Sequence, residues 1–398
     1  MPNYTTLKFS PQNYFYIITG VILSIAGLYY GSGFFIPISF ALLISFILLP
    51  IVRFLEYKGL NSIFAILITF LLILIILGGI SYFFSSQIAT IISDFKSFKA
   101  QFNTLLDSLI EMYNENLSFL PPVNSEILAN NIQHFVETSG RDILGVTLMQ
   151  TTSFLASFVL VPVYVFLLLL YRKGIVKGIL LFFRKEQRAD VKEILIKVQA
   201  VGKDYIIGLI TVMFIMTILN SACLLIIGVD YAIMFGGLAA LLIVIPYIGT
   251  YVGASLPVLY ALVTLGPGAA FAVIICFVCI HLLESNYLTP KIVGSNTSVN
   301  ALSAFTALIL GGFIWGISGM VLAIPFTAMV KKVFIRVSGL QPLALLLGEE
   351  LFDEKMPPPE ELEVEYIEPK LKPEPFYKRI INGFSNGRRT ISKFLQGK

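Results

Sequence analysis

Glu284 is the residue whose setting most invites chemistry. It follows an apolar run, 269–283, and His281 stands three residues before it. Residues three apart share a helix face, so a carboxylate and an imidazole meet there if the helix continues. An ionisable group at membrane depth is costly and asks for a reason. Glu284 could bind a cation or a proton, or accept hydrogen bonds from a hydroxylated solute. The blander reading is an interfacial glutamate whose head reaches water. Asn286, Thr289, Pro290 and Lys291 follow closely. Pro290 should break the helix, and Gly294-Ser295-Asn296-Thr297-Ser298 reads as a polar loop. This set is the candidate substrate or ion pathway. Asn220, in the middle of another apolar run, either lines the same pathway or hydrogen-bonds between helices, which is the simpler role. Asp230 reads as the cap of the next helix.

Other chemistries lack their residues. The three cysteines are Cys223, Cys276 and Cys279, and the last two have CxxC spacing. No second pair or histidine cluster accompanies them, so they read as small apolar residues on one helix face. The chain has no P-loop, HExxH or GxSxG, which leaves ATP hydrolysis, metalloproteolysis and serine hydrolysis without a motif. We expect no enzyme, no cofactor and no metal.

The elements that must position these residues follow from composition. Apolar residues are 57% of the 398, charged residues 13%, and mean hydropathy is +0.85. Soluble domains carry about 25% charge. A spanning helix needs about 20 apolar residues, and runs at 14–30, 34–52, 62–84, 152–171, 205–227, 232–265, 269–283 and 301–330 qualify. Alternating β-barrel segments are absent. The expectation is an all-α polytopic membrane protein with about eight crossings, some broken or re-entrant, and amphipathic helices outside the bilayer. The first run lacks the cleavage site of a signal peptide and reads as a retained crossing.

Basic loops mark the cytoplasmic side. Segment 172–204 carries nine basic and four acidic residues, while 85–150 carries three basic and seven acidic. Arg53 and Lys58 follow the second run, and Lys331, Lys332 and Arg336 the last. Cytoplasmic termini and eight crossings satisfy all of these in a bacterial inner membrane. The expected organisation is 1–84, three crossings; 85–150, an extracytoplasmic amphipathic segment; 151–204, the fourth crossing and a basic helix; 205–348, a four-crossing core; and 349–398, a tail. Within 85–150, apolar residues from Ile88 to Leu109 recur at helical spacing, and a second helix is expected over 127–143. The tail begins with an acidic, proline-rich linker, 349–375, and ends in a basic segment interleaved with aromatics, 376–398. The basic segments suit membrane lipid better than nucleic acid.

Two core runs are interrupted, one at Pro246-Tyr247-Ile248-Gly249 with Gly253 and Pro257, the other at Gly311-Gly312, Gly316, Gly319 and Pro325. Freed backbone groups are tolerated in lipid only against protein or a wet cavity. Such breaks point to a transport site, and close helix packing through glycine is the competing explanation.

These stretches, with Leu48-Leu49-Pro50, Leu55-Glu56 and Gly59, Glu284 through Gly294, and Trp315-Gly316, resemble the autoinducer-2 exporter family, or PerM-like permeases, over about 14–348. The resemblance implies an eight-crossing inner-membrane permease that assembles as a homo-oligomer, with a pentamer as the expected number. It also implies either export of a furanosyl signal or exchange of sodium or lithium for protons. The sequence departs from the family at Tyr171-Arg172-Lys173, at Asn61-Ser62 after Gly59, and in its tail. The leading expectation is a secondary transporter for a small polar solute, coupled to an ion gradient or driven by the solute's own. Sodium–proton antiport is the second, and a scaffold whose tail recruits lipid or partners the third.

Overall fold

A computed structural model describes residues 11–116, 160–294, 298–337 and 339–349. The chain divides into two compact units, Met1–Phe352 and Asp353–Lys398. The second unit lies outside the described residues, as do the helix expected over 127–143, the start of the crossing expected over 152–171 and part of the polar loop after Gly294.

The described residues form helices and turns, with one isolated bridge between Val299 and Gly348 and no strand. In chain order the helices are α1 (Pro11–Tyr30), α2 (Ser32–Tyr57), α3 (Ser62–Asn116), α4 (160–181), α5 (Arg188–Ile227), α6 (Ala232–Leu242), α7 (Ile248–Thr264), α8 (Pro267–Leu283), α9 (Ala301–Phe334) and α10 (Gln341–Leu347). Five stretches are long and apolar enough to cross a membrane: Ser32–Tyr57, Ser62–Asp94, Lys185–Ile227, Pro267–Val293 and Ala301–Phe334. By this measure the all-helical membrane architecture stands, and eight crossings are not reached.

Three elements differ from expectation. First, α3 is one continuous helix of 55 residues, not a crossing followed by a separate surface helix. From Ile80 to Asn116 the sequence has neither proline nor glycine, so nothing ends the helix as it leaves the apolar stretch. At 1.5 Å per residue it is about 80 Å long, far more than the roughly 30 Å of a hydrocarbon core.

Second, 232–265 is a hairpin of two short helices rather than one crossing. Tyr247, after Pro246, takes φ 63 and ψ −55 at the turn. Beyond it α7 runs back along α6. The Tyr260 ring sits 5.3 Å from Phe235 near the hairpin's open end, and Gly253 lies against Ala239. Eleven residues of α6 reach about 16 Å, roughly half a bilayer. Pro257 is buried inside α7 and does not end it.

Third, α9 is two helices joined at Trp315 and Gly316, where Gly316 takes φ 59 and ψ −137. A Cβ added to Gly319 would lie 1.9 Å from the Gly311 carbonyl oxygen. Residues eight apart in a straight helix are about 12 Å apart, so 301–314 and 317–334 must fold against each other. The small residues at 311, 312 and 319 let the backbones touch. Trp315 Nε1 donates to the Leu28 carbonyl at 2.8 Å, pinning this tip to the end of α1.

The basic ends of α2, α4, α5 and α9 gather at one end of the bundle. There Arg172 Nη2 donates to both carboxylate oxygens of Glu56, at 2.6 and 2.5 Å, and Nη1 donates to the Leu169 carbonyl. The two side chains are only 14% and 20% exposed. Glu56→Ala strands a mostly buried guanidinium and should destabilise by about 1–3 kcal/mol, read as a lower Tm in detergent. The Lys197–Glu193 pair is about half exposed, and Lys197→Ala should cost less than about 1 kcal/mol.

Candidate functional site

Glu284 sits where α8 changes character. From here the chain winds as π-helix, Glu284–Leu288 and then Pro290–Gly294. The expectation that Pro290 would break the helix fails for a physical reason. A widened turn moves the hydrogen-bond register, and proline has no N–H to lose. The Thr289 N–H donates to the Glu284 carbonyl five residues back.

Glu284 continues the buried stripe Ala270, Val273 and Phe277 of α8, and the residue is 7% exposed. Thr289 Oγ1 donates to its Oε1 at 2.5 Å. His281 Nδ1 stands 3.2 Å from Oε2, close enough for charge pairing, yet it is buried and not aligned for a hydrogen bond. An interfacial glutamate with its head in water is therefore not what the structure shows. Two contacts fix the antiparallel register of α5 against α8: Cys223 beside Cys276, and Gly208 against Ile292 and Val293. Interpolated along that register, Glu284 lies opposite Val212–Met216, about midway along the apolar half of α5. Ala240 and Ile243, at the tip of the α6–α7 hairpin, cluster with Val212, Met216, Ile280 and Leu288. Carboxylate, threonine, histidine and hairpin tip thus share one depth.

The other expected pathway residues divide. Asn286 is exposed and donates to the Leu282 carbonyl at 2.8 Å, while Lys291 is exposed and donates to the Tyr287 hydroxyl at 2.9 Å; neither joins Glu284. Asn220 is 3% exposed, about one turn from the Glu284 level on α5, and its Oδ1 has no hydrogen-bond partner. The interhelical bond that would make it glue is not formed through that oxygen. Pro246 and Tyr247 make the first hairpin's turn and Gly316 the second's, whereas Gly249, Gly253, Gly311, Gly312 and Gly319 are contact points. Pro325 is buried within α9.

Other polar groups depart from expectation. Asp230 accepts from Tyr260 instead of capping α6. Tyr231 donates to Asp94, which with partial burial pushes its phenol up to about 12. Cys276 is disulfide-bonded to Cys223, and Cys279 is exposed and free. Sequence reasoning missed Lys331, which it treated only as a cytoplasmic marker. Lys331 is 1% exposed and donates to the Ser298 carbonyl at 2.6 Å. The signal was present, because Leu322, Pro325, Ala328 and Lys331 fall on one three-residue stripe and all are buried.

Chemically, Glu284 with Thr289 and His281 can hold a proton or a monovalent cation, or accept a solute hydroxyl. Among the described residues no three His, Cys, Asp or Glu gather to hold a metal.

Residues 18–339 match the AI-2E family transporter model. The chain is 27% identical to YrrI of Bacillus subtilis over 316 residues, 76% of this chain and 86% of that one. It is 23% identical to the AI-2 transport protein TqsA of Escherichia coli over 331 residues, 83% of this chain and 93% of that one. A match over this length, with the π-turn carboxylate and both glycine hairpins inside it, shows that the chain belongs to the AI-2E transporter family.

Proposed function

We propose that this chain is a secondary transporter that exports a small polar solute across the bacterial inner membrane, with Glu284 as the group that binds solute or coupling ion. The observation carrying this reading is a buried carboxylate opposite the middle of α5's apolar half, beside the tip of a hairpin whose first arm is only about 16 Å long. Broken helices ending at the midplane are where transporters build their sites, and a buried carboxylate there is a functional group by default. TqsA's description as an AI-2 transport protein supports a hydroxylated solute of that kind. On this reading α1 to α5, α8 and both arms of α9 cross, eight in all, the arms of α9 being short at about 21 and 27 Å, while the α6–α7 hairpin is re-entrant. The same reading has the basic ends and both termini in the cytoplasm. Assembly as a homo-oligomer, with five subunits as the working number, belongs to the same reading.

The closeness of His281 to Glu284 favours a second reading, cation–proton antiport, since both groups can carry a proton. One preparation separates the two. Purified protein in vesicles should give saturable movement of labelled autoinducer-2. Sodium added to vesicles loaded with a pH dye should give no proton flux. Proton flux on adding sodium, with no movement of the labelled solute, selects the antiporter. Neither signal removes both readings.

A further inference from the structure

At the basic end, α2, α4 and α5 enclose a cavity of about 670 Å³. It is remote from Glu284 and plays no part in the site described above. Its body is apolar, with Leu42, Phe46, Leu49, Leu168, Leu195 and Ile196 among its walls. Its polar rim carries four cations, Arg53, Arg172, Lys173 and Lys192, against one carboxylate, Glu56. Arg172 already occupies both oxygens of Glu56. Arg53 and Lys192 make no ion pair among the described residues. The rim is therefore cationic in net charge, and its charges come from three different helices.

We propose that this cavity binds an anionic phospholipid, its phosphate headgroup held by Arg53, Lys173 and Lys192 and its acyl chain lying along the apolar wall. The volume falls within the range of small-molecule sites. A free phosphate would satisfy the cations and leave the apolar body unexplained, while a neutral lipid would do the reverse. Only an anionic amphiphile uses both, and basic pockets between crossings at a leaflet boundary hold such headgroups. A bound lipid would tie α2, α4 and α5 together by charge at a level where Glu56–Arg172 is the only ion pair joining one of these helices to another among the described residues.

The test is lipid binding to the full chain in detergent, read by native mass spectrometry and by the rise in Tm. Phosphatidylglycerol should bind and stabilise, and phosphatidylcholine should do neither. Removing three cations near a headgroup, in Arg53→Gln/Lys173→Gln/Lys192→Gln, should weaken phosphatidylglycerol binding at least about tenfold. Ile196→Trp should also weaken it by filling the cavity from a position already 57% exposed, where a larger ring is not expected to disturb the fold. Lys177→Gln/Lys185→Gln removes two basic residues from the same end but outside the cavity, and should leave binding intact. Equal binding of phosphatidylcholine, equal loss in the Lys177/Lys185 variant, or full competition by glycerol phosphate would overturn the proposal. The first result would mean a neutral lipid, the second diffuse surface charge, and the third a soluble phosphate site.

Discussion

Glu284→Gln is expected to leave the protein folded and to bring gradient-driven transport down to the level of protein-free vesicles. The two halves of this expectation come from different parts of the structure. The amide is almost isosteric with the carboxylate, and its oxygen can still accept from Thr289 Oγ1 as Glu284 Oε1 does. Its NH₂ can point at His281 Nδ1, which stands 3.2 Å from Oε2 and has no aligned donor. Stability should therefore shift by no more than about 1 kcal/mol, and Tm in detergent checks this. What glutamine cannot do is take up and release a proton or offset a cation's charge, and coupling depends on that. Glu284→Asp keeps the charge on a shorter arm and should retain part of the rate. Asn286→Ala should be nearly silent, because the Asn286 amide is spent on the Leu282 carbonyl and does not reach Glu284. A Glu284→Gln protein with normal Tm and wild-type uptake would remove the carboxylate from the mechanism and leave the hairpins as architecture alone.

The contrast between Glu284 and Asn286 also shows how far the sequence could be read. Helical spacing was enough to put His281 and Glu284 on one face, because both still lie within the regular turn. Asn286 and Lys291 were grouped with Glu284 by closeness in sequence alone. A residue two positions on points away from Glu284 even in a regular helix, and the π-turns beyond it take Lys291 off the face that an α-helical count would give it. Nothing in residue types announces a π-turn except Pro290, and proline alone reads as a stop. The basic loops required an even number of crossings between 204 and 331, which holds if α5, α8 and the two halves of α9 all cross. The run 232–265 had the length of a tilted crossing, and hydropathy does not tell a chain that goes through from one that turns back. The turn at Tyr247 shows in the backbone, where a non-glycine residue takes positive φ, and the Pro246-Tyr247-Ile248-Gly249 interruption marked its place in the sequence without its direction. Lys331 was misjudged because lysine at the end of an apolar run usually snorkels to water, and here the 298–301 connection covers it.

Gly249→Ala should prevent the α6–α7 hairpin from closing. A Cβ at Gly249 would lie 1.6 Å from the Leu242 carbonyl oxygen and 2.5 Å from its carbon. Both are backbone atoms at the end of α6, so no side chain can rotate aside. The methyl must push α7 off α6, which also lifts Gly253 from Ala239 and disturbs the tip packed beside Met216. Overpacking in a well-filled core costs about 1–3 kcal/mol where side chains can adjust. Here the backbones themselves must separate, so a loss above about 3 kcal/mol is expected, seen as a collapse in folded yield after detergent extraction. Gly78→Ala supplies the contrast. It too is a glycine inside an apolar helix, but nothing lies within 4 Å of its added Cβ. Alanine there should be neutral or stabilising by up to about 1 kcal/mol, since glycine is the poorer helix former. If both variants fold alike, the close approach of α7 to Leu242 is not a feature of the protein in its membrane. The depth assigned to Glu284 beside the hairpin tip would then lose its support. If Gly249→Ala alone fails, the glycine was kept for contact between two antiparallel helices, which a single straight crossing through 232–265 would never bring together.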